Sequence, residues 1–287
     1  MDAFVTRFAP SPTGHLHLGH AFSALTAYRA AGKAGGRFLL RIEDIDQGRC
    51  RADFEAAIYE DLHWLGLDWE KPVRRQSEHF GDYAAALDRL KTKGLVYRCF
   101  KTRKEILDEI ASAPHLSPQG PEGPQYVGAP PAREEEERRI ASGEPFAWRV
   151  SMERAREALG ADFSRLTFRE EIFGGARDVK ATPQIFGDLI VARKDAGTSY
   201  HLASVSDDAL QGVTHVIRGE DLFTATHAHR LLQALLGLPA PTYRHHRLIT
   251  DDAGKKFSKR DQAATLRALR DSGVTRADVL ARVGFSD

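Results

Sequence analysis

Cysteine is scarce. Cys50 and Cys99 are the only two in 287 residues, too few for a disulfide framework, and a reducing cytoplasm is the compartment they suit. No apolar run approaches the ~18 residues that a membrane-spanning helix needs. The N-terminus has no basic segment followed by an apolar one, so neither a membrane span nor a signal peptide is expected. Neither sign of charge dominates: 41 Lys and Arg face 40 Asp and Glu, a formal net charge of +1. No global field therefore draws the chain onto nucleic acid, and any such contact must come from a local patch. Internal repeats are absent. What is left is an ordinary globular composition, 42% hydrophobic and 28% charged, long enough to bury a sizeable core in one large domain or two.

The chain is organised around Arg7-Phe-Ala-Pro-Ser-Pro-Thr-Gly-His-Leu-His-Leu-Gly-His20. Phe4, Val5 and Phe8 make a short apolar strand with Arg7 inside it. Pro10 and Pro12 cannot donate to a ladder and stop it, and Gly14 lets the chain turn. A helix is expected from about Leu18 to Ala31, with Gly32 as its stop. A helix that opens at a strand's end presents unpaired N–H groups and a positive dipole end, which suits phosphate. His17 and His20 sit at that start, three apart, where two imidazoles can address one anion. Taken alone, they read as two surface histidines at a helix start.

Residues 37–44 suit a buried parallel strand that delivers Glu43 and Asp44 to a crevice and completes a βαβ unit. Residues 51–66 and 78–93 carry apolar side chains at helical spacing, stopped by Gly66 and Gly94, and read as core-facing helices. A strand at 95–100 and a short helix at 102–111 follow. Pro114, Pro118, Pro121, Pro124, Pro130 and Pro131 mark 113–133 as an exposed loop or disordered insert, and 134–139 reads as a solvated helical face. From 145 to about 205 the texture turns β-like, with strands at 146–150, 166–173 and 188–193 separated by Gly-rich turns. A strand at 213–218 ends in charge, at Arg218, Glu220 and Asp221. A helix at 226–236 stops at Gly237. Residues 243–249 form a short basic strand or loop; Arg244, His245, His246 and Arg247, with Arg260, are either RNA contacts or ordinary surface charge. Two short helices at 263–271 and 276–283 close the chain.

Lys256-Phe-Ser-Lys-Arg260 puts two ammonium groups three residues apart. Two flexible cations can follow a phosphate as its charge moves in a displacement, although the pentamer alone would read as a solvated basic turn. With the histidine stretch, it resembles the two signature sequences of the class I aminoacyl-tRNA synthetases, commonly written HIGH and KMSKS. Arg7–His20, Arg41-Ile-Glu-Asp-Ile-Asp46, Tyr200-His-Leu-Ala203 and Gly212-Val-Thr-His-Val-Ile-Arg-Gly-Glu-Asp221 resemble the glutamyl branch, in the expected order from about residue 4 to 261. Only 27 residues follow Arg260. The chain therefore resembles the truncated family of that branch, the glutamyl-Q tRNA(Asp) synthetases, rather than a glutamyl-tRNA synthetase with its helical anticodon-binding region.

The resemblance implies an α/β fold, a Rossmann-like class I catalytic domain with a parallel sheet and an inserted α+β connective subdomain, and no anticodon-binding domain. The expected division is 1–95 and 206–261 for the two catalytic halves, 96–205 for the insertion with its loop at 113–133, and 262–287 for a short helical tail. It implies a cytoplasmic ligase, a monomer, that activates L-glutamate with ATP and Mg²⁺ and transfers it to the queuosine base in the anticodon of tRNA(Asp). A catalytic fragment charging tRNA(Glu) and a catalytically dead RNA-binding module are the alternatives. By the same resemblance His17, His20, Lys256 and Lys259 act on the phosphates, with Gly19 beside them at the ATP. Arg7, Arg218 and Tyr200 take the glutamate side-chain carboxylate, Glu43 takes the α-ammonium, and Phe8, Ala9, Pro10 and Ser11 line the same wall. The family often carries a zinc site built from Cys-x-Cys, a Tyr and a later Cys. Here Cys99-Phe-Lys101 keeps one thiol and no cysteine follows, so zinc is not expected. Ser204 stands where glutamyl-tRNA synthetases usually have Asn.

Overall fold

The computed structural model describes residues 3–112, 119–250 and 265–286. In chain order the elements are β1 (Val5–Phe8), α1 (Leu18–Lys33), β2 (Arg37–Ile42), α2 (Ala52–Trp64), β3 (Glu70–Arg75), α3 (Phe80–Thr92), β4 (Val96–Cys99) and α4 (Arg103–Ser112). Next come β5 (Gln119–Gly120), β6 (Gly123–Pro124), α5 (Arg133–Ala141), β7 (Ala147–Val150), α6 (Met152–Leu159), α7 (Ala161–Arg165), β8 (Thr167–Ile172), β9 (Gly175–Lys180) and β10 (Leu189–Ala192). The last third holds α8 (Tyr200–Leu210), β11 (His215–Gly219), α9 (Ala225–Leu236), β12 (Thr242–His246), α10 (Leu266–Asp271) and α11 (Arg276–Arg282).

Strands β1, β2 and β3 pair in parallel, and β11, β12 and β8 form a second parallel group to which β9 adds antiparallel. Thr214 N donates to Val5 O at 2.9 Å and lays the start of β11 beside β1. From there the chain winds outward both ways, through α1 to β2 and through α9 to β12. That reversal opens a crevice at the carboxyl ends of β1 and β11, the place where open parallel sheets bind ligands. Strands β4, β7 and β10 form a separate antiparallel sheet.

Alternation along the strands assigns each face. Phe38, Leu40 and Ile42 of β2, with Phe8 of β1 and Ile217 of β11, pack on one side against α1 and α2. Leu39, Val5 and Val216 pack on the other with α3, α8 and α9. Each fully buried Leu or Ile contributes about 1.5–3 kcal/mol. Strand period then forces Arg7, Arg41 and Arg218 onto the second face, toward α8.

Three sequence expectations need correction. Helix α1 runs through Gly32 to Lys33 and turns at Gly35 (φ +59°), because Gly32 keeps helical geometry and the positive-φ residue lies three further on. The β-like texture read up to Val205 ends earlier, since Tyr200 opens α8. Ser199 Oγ accepts from Leu202 N at 3.3 Å, and that N-cap outweighs the strand preference of Tyr and Val. Strand β3 was not expected, since Glu-Lys-Pro-Val-Arg-Arg is polar with a proline; it lies at the end of its sheet, where such residues are tolerated. No helix among the described residues is long and apolar enough to cross a membrane.

Asp61 on α2 is fully buried, 3.5 Å from Arg270 of α10. Burial pushes its carboxyl up to about 6 despite Arg270. The folded chain thus holds this proton to higher pH than the unfolded chain does, and stability falls as pH rises from about 4 to about 6. Asp61→Asn should remove that slope and raise stability at pH 7.5 by about 1–2 kcal/mol, read by thermal denaturation across pH.

Candidate active site

The crevice is a cavity of about 700 Å³ whose lining includes Arg7, Phe8, Ala9, Pro10, Ser11, His17, Gly19, His20, Glu43, Tyr200 and Arg218. Every described residue that the resemblance assigned to glutamate or ATP therefore lies around one space, whereas Asp44, expected beside Glu43 in the crevice, instead accepts from Ser77 N at 2.8 Å. Lys256 and Lys259 lie outside the described residues. The flanks of their segment do not: Ile249 lines the cavity, Thr265 bridges to His17, and Leu266 N donates to Leu16 O at 2.8 Å.

His17 is the N-cap of α1. Its Nδ1 accepts from Gly19 N at 3.1 Å, and His20 Nδ1 accepts from His17 N at 3.2 Å. An accepting Nδ1 places the proton of each neutral ring on Nε2. The ring centroids are 3.8 Å apart. A Cβ at position 19 would lie 3.0 Å from the His17 ring, which accounts for glycine between the two histidines.

Behind the cavity floor lies a buried charge network. Arg7 Nε and Arg41 Nη1 donate to Asp208 Oδ1 at 3.0 and 2.8 Å, and Arg41 Nη2 donates to Glu43 Oε1 at 3.1 Å. Asp207 accepts from Arg74 Nε at 2.7 Å, Gln76 Nε2 at 2.8 Å and the Tyr83 hydroxyl at 2.9 Å. Burial works to raise Asp208, but the charges of Arg7 and Arg41 outweigh it and hold its carboxyl below the usual range. Burial prevails at Glu43, whose carboxyl is raised against the pull of Arg41 and Arg7.

Arg218 differs from Arg7 and Arg41. It is 4% exposed, yet its partners among the described residues are all uncharged. Its Nη1 donates to the Tyr200 hydroxyl at 3.1 Å, Nη2 to Thr226 Oγ1 at 2.8 Å, and Nε to His245 Nε2 at 3.2 Å. His245 can accept there because its Nδ1–H faces Glu170 at 2.9 Å, which fixes the tautomer. Burial pushes the His245 imidazole down and keeps it neutral. Burial also raises the Tyr200 hydroxyl, so it stays protonated. A buried guanidinium without a carboxylate, beside a hydroxyl that can donate, is a seat for an anion.

A second cavity of about 580 Å³ shares Ser11, Glu43 and Tyr200 with the first and is bordered by Lys101, Arg103 and Arg149. Cys99 is buried with Tyr97, Ile106 and Tyr126, and Lys101 pairs with Glu109. One thiol and an engaged ammonium do not fit a four-ligand zinc centre. His245, a candidate RNA contact from sequence, has a side chain 3% exposed and serves Arg218. Arg244 pairs with Glu171. Sequence reasoning gave no role to Arg41, Asp207, Asp208, Glu170 or Thr226. The available signal was charge inside apolar elements: Arg41 within a buried strand, and two adjacent acids within a mainly apolar helix.

A catalytic domain of class I is what this crevice and its signature helix define. The family model of class I tRNA synthetases (E and Q), catalytic domain, matches residues 3–287, and the chain belongs to that family. Within it, the chain is 48% identical to a glutamyl-Q tRNA(Asp) synthetase of Rhodobacter capsulatus, over 98% of this chain and 100% of that protein. It is 37% identical to a glutamate–tRNA ligase of Ruegeria pomeroyi, over 100% of this chain and 62% of that one. A glutamate tRNA ligase of Elizabethkingia meningosepticum, solved with its amino acid, superposes with a TM-score of 0.74 at 29% identity, over 91% of this chain and 52% of that chain.

Asp208→Asn should leave two buried guanidiniums short of their shared carboxylate and cost about 3–5 kcal/mol, measured by urea unfolding near neutral pH. The Asp208 contribution is present above the usual carboxylate range and is lost as pH falls through its lowered value. An unchanged midpoint at neutral pH would contradict the network's assigned role.

Proposed function

We propose that the chain activates L-glutamate with ATP and transfers it to the queuosine base in the anticodon of tRNA(Asp). The observation that carries the reading is Arg218, a buried guanidinium with uncharged partners on one wall of a cleft whose other wall holds Glu43. A dicarboxylic amino acid matches this pattern: its side-chain carboxylate meets Arg218, Arg7 and the Tyr200 hydroxyl, and its ammonium meets Glu43. The α-carboxylate then points toward the start of α1, where ATP would lie along Gly19. Phe8, Ala9, Pro10 and Ser11 form the wall between.

In the proposed reaction a carboxylate oxygen attacks the α-phosphorus of ATP in line, the bond to the bridging oxygen breaks, and pyrophosphate leaves with that electron pair. Catalysis is then positioning plus stabilisation of growing negative charge. His17 and His20 act on the phosphates from one side, and Lys256 and Lys259 approach from the segment whose flanks meet the same helix start. Mg²⁺ is proposed to arrive on the ATP phosphates and neutralise part of their charge; among the described residues no group of three or more His, Cys, Asp or Glu could hold a metal ion. The lining of the second cavity includes Ser11, Glu43 and Tyr200 but not His17, Gly19 or His20, so an acceptor entering there could attack the glutamyl carbonyl and release AMP. We propose that the segment at 96–205, with its antiparallel sheet, borders that route, and that the enzyme works in the cytoplasm.

Glutamate-dependent pyrophosphate–ATP exchange, followed by transfer of labelled glutamate to queuosine-containing tRNA(Asp), unmodified tRNA(Asp) and tRNA(Glu), tests the reading. Exchange without tRNA and labelling of the queuosine-containing acceptor alone are expected. Labelling of tRNA(Glu) alone would replace the proposed acceptor, and no exchange would make the chain a non-catalytic relative.

A further inference from the structure

The β8–β9 hairpin ends in an apolar knuckle. Phe173 is fully exposed, and Ile172 beside it is about half exposed. Ile172 faces Gly175 across a two-residue tip in which Gly174 takes φ +84°. Phe168, Glu170 and Ile172 share one face of β8, so the row of side chains that starts in the core runs out past Glu170 into solvent.

Register places this knuckle. Strand β8 pairs in parallel with β12 at Glu170 and Tyr243, and β12 pairs in parallel with β11 at His245 and Arg218. All three strands therefore leave the sheet at the edge that carries the crevice. Phe173 lies three residues beyond Glu170, about 10 Å along the strand, and Glu170 holds the histidine that accepts from Arg218. Further down the hairpin, charged side chains are exposed. Arg169 is exposed and 3.4 Å from Asp178, and Arg177, opposite Glu170 on β9, is also exposed.

A protein partner would need a contiguous apolar patch, commonly a few hundred Å². One ring and one half-exposed isoleucine at a hairpin tip do not supply it. They do match a single unstacked base: stacking uses one aromatic face, tolerates any sequence, and gains from a nearby cation. With a net charge of only +1, attachment to RNA must come from local contacts of this kind.

We propose that Phe173 is a stacking platform for an unstacked base of the acceptor RNA, holding the RNA at the carboxyl edge of the sheet while the reacting nucleotide enters the cleft. This rests on the reading that the acceptor is a tRNA loop. Phe173 lies outside the residues assigned to glutamate and ATP, so its loss should spare activation.

The test uses the full chain and its Phe173→Ala and Phe173→Trp variants. Three readouts are glutamate-dependent pyrophosphate exchange without tRNA, filter binding of tRNA(Asp), and transfer at sub-saturating tRNA. Exchange should be unchanged in both variants. In F173A, tRNA binding and transfer per unit tRNA should fall roughly five- to a hundredfold, the range found when a stacking aromatic is removed, while F173W retains them. Wild-type tRNA affinity in F173A would overturn the proposal, as would equal loss of exchange and transfer. So would a wild-type chain that binds no tRNA, or one that Phe173 merely dimerises, seen as a mass change in F173A by sedimentation. Exchange without transfer, with tRNA binding still dependent on Phe173, would instead unseat the queuosine assignment and leave the platform standing.

Discussion

Three arginines on one buried face govern this structure. Strand alternation puts Arg7, Arg41 and Arg218 on the side of the parallel strands that packs against α8, where a bare guanidinium would be very costly. Two of them are answered by Asp208, with Glu43 and Asp207 completing the set around Arg41. The third is not. Arg218 is held by two hydroxyls and a neutral imidazole, all of which orient it and none of which cancels its charge. The fold thus keeps one positive charge in reserve at the mouth of the crevice, and the remaining geometry makes chemical sense around that fact.

The location follows from topology. Because β1 and β11 are neighbours whose connections run in opposite directions, the chain must separate at their carboxyl ends. The loop after β1 is pinned there, as Glu43 N donates to Pro10 O and Arg51 N to Pro12 O, each at 3.0 Å. A carboxylate on β2, a guanidinium on β11, a tyrosine opening α8 and a helix start opening α1 then face one space. Family membership rests on the match over residues 3–287, and the buried charge pattern gives that match a physical content.

Much of this was legible in the sequence. Prolines 10 and 12 and Gly14 marked the end of β1, the period of Ala21, Leu25 and their neighbours marked α1, and Gly66, Gly94 and Gly237 marked helix ends with positive φ. Arg7 to Ser11, His17, Gly19 and His20 of the motif, with Glu43, Tyr200 and Arg218, surround one cavity. What could not be read was pairing at a distance. Asp208 and Arg41 are 167 positions apart, and no local pattern announces such a bond. Helix α8 was misjudged because Tyr and Val favour strands locally while the Ser199 cap and packing on both faces decide for helix. His245 looked like surface charge because its neighbours are basic, whereas β12 pairs on both edges and buries alternate residues.

The central claim is that the cleft keeps a positive charge for a substrate carboxylate. Isothermal titration of the chain with L-glutamate and with L-glutamine, each with a non-cleavable ATP analogue, tests it most directly. The two ligands have nearly the same shape and differ in side-chain charge. Glutamate is predicted to bind at least about 100-fold more tightly, since glutamine would leave Arg218 buried and unanswered. Equal affinity for the two would contradict the account.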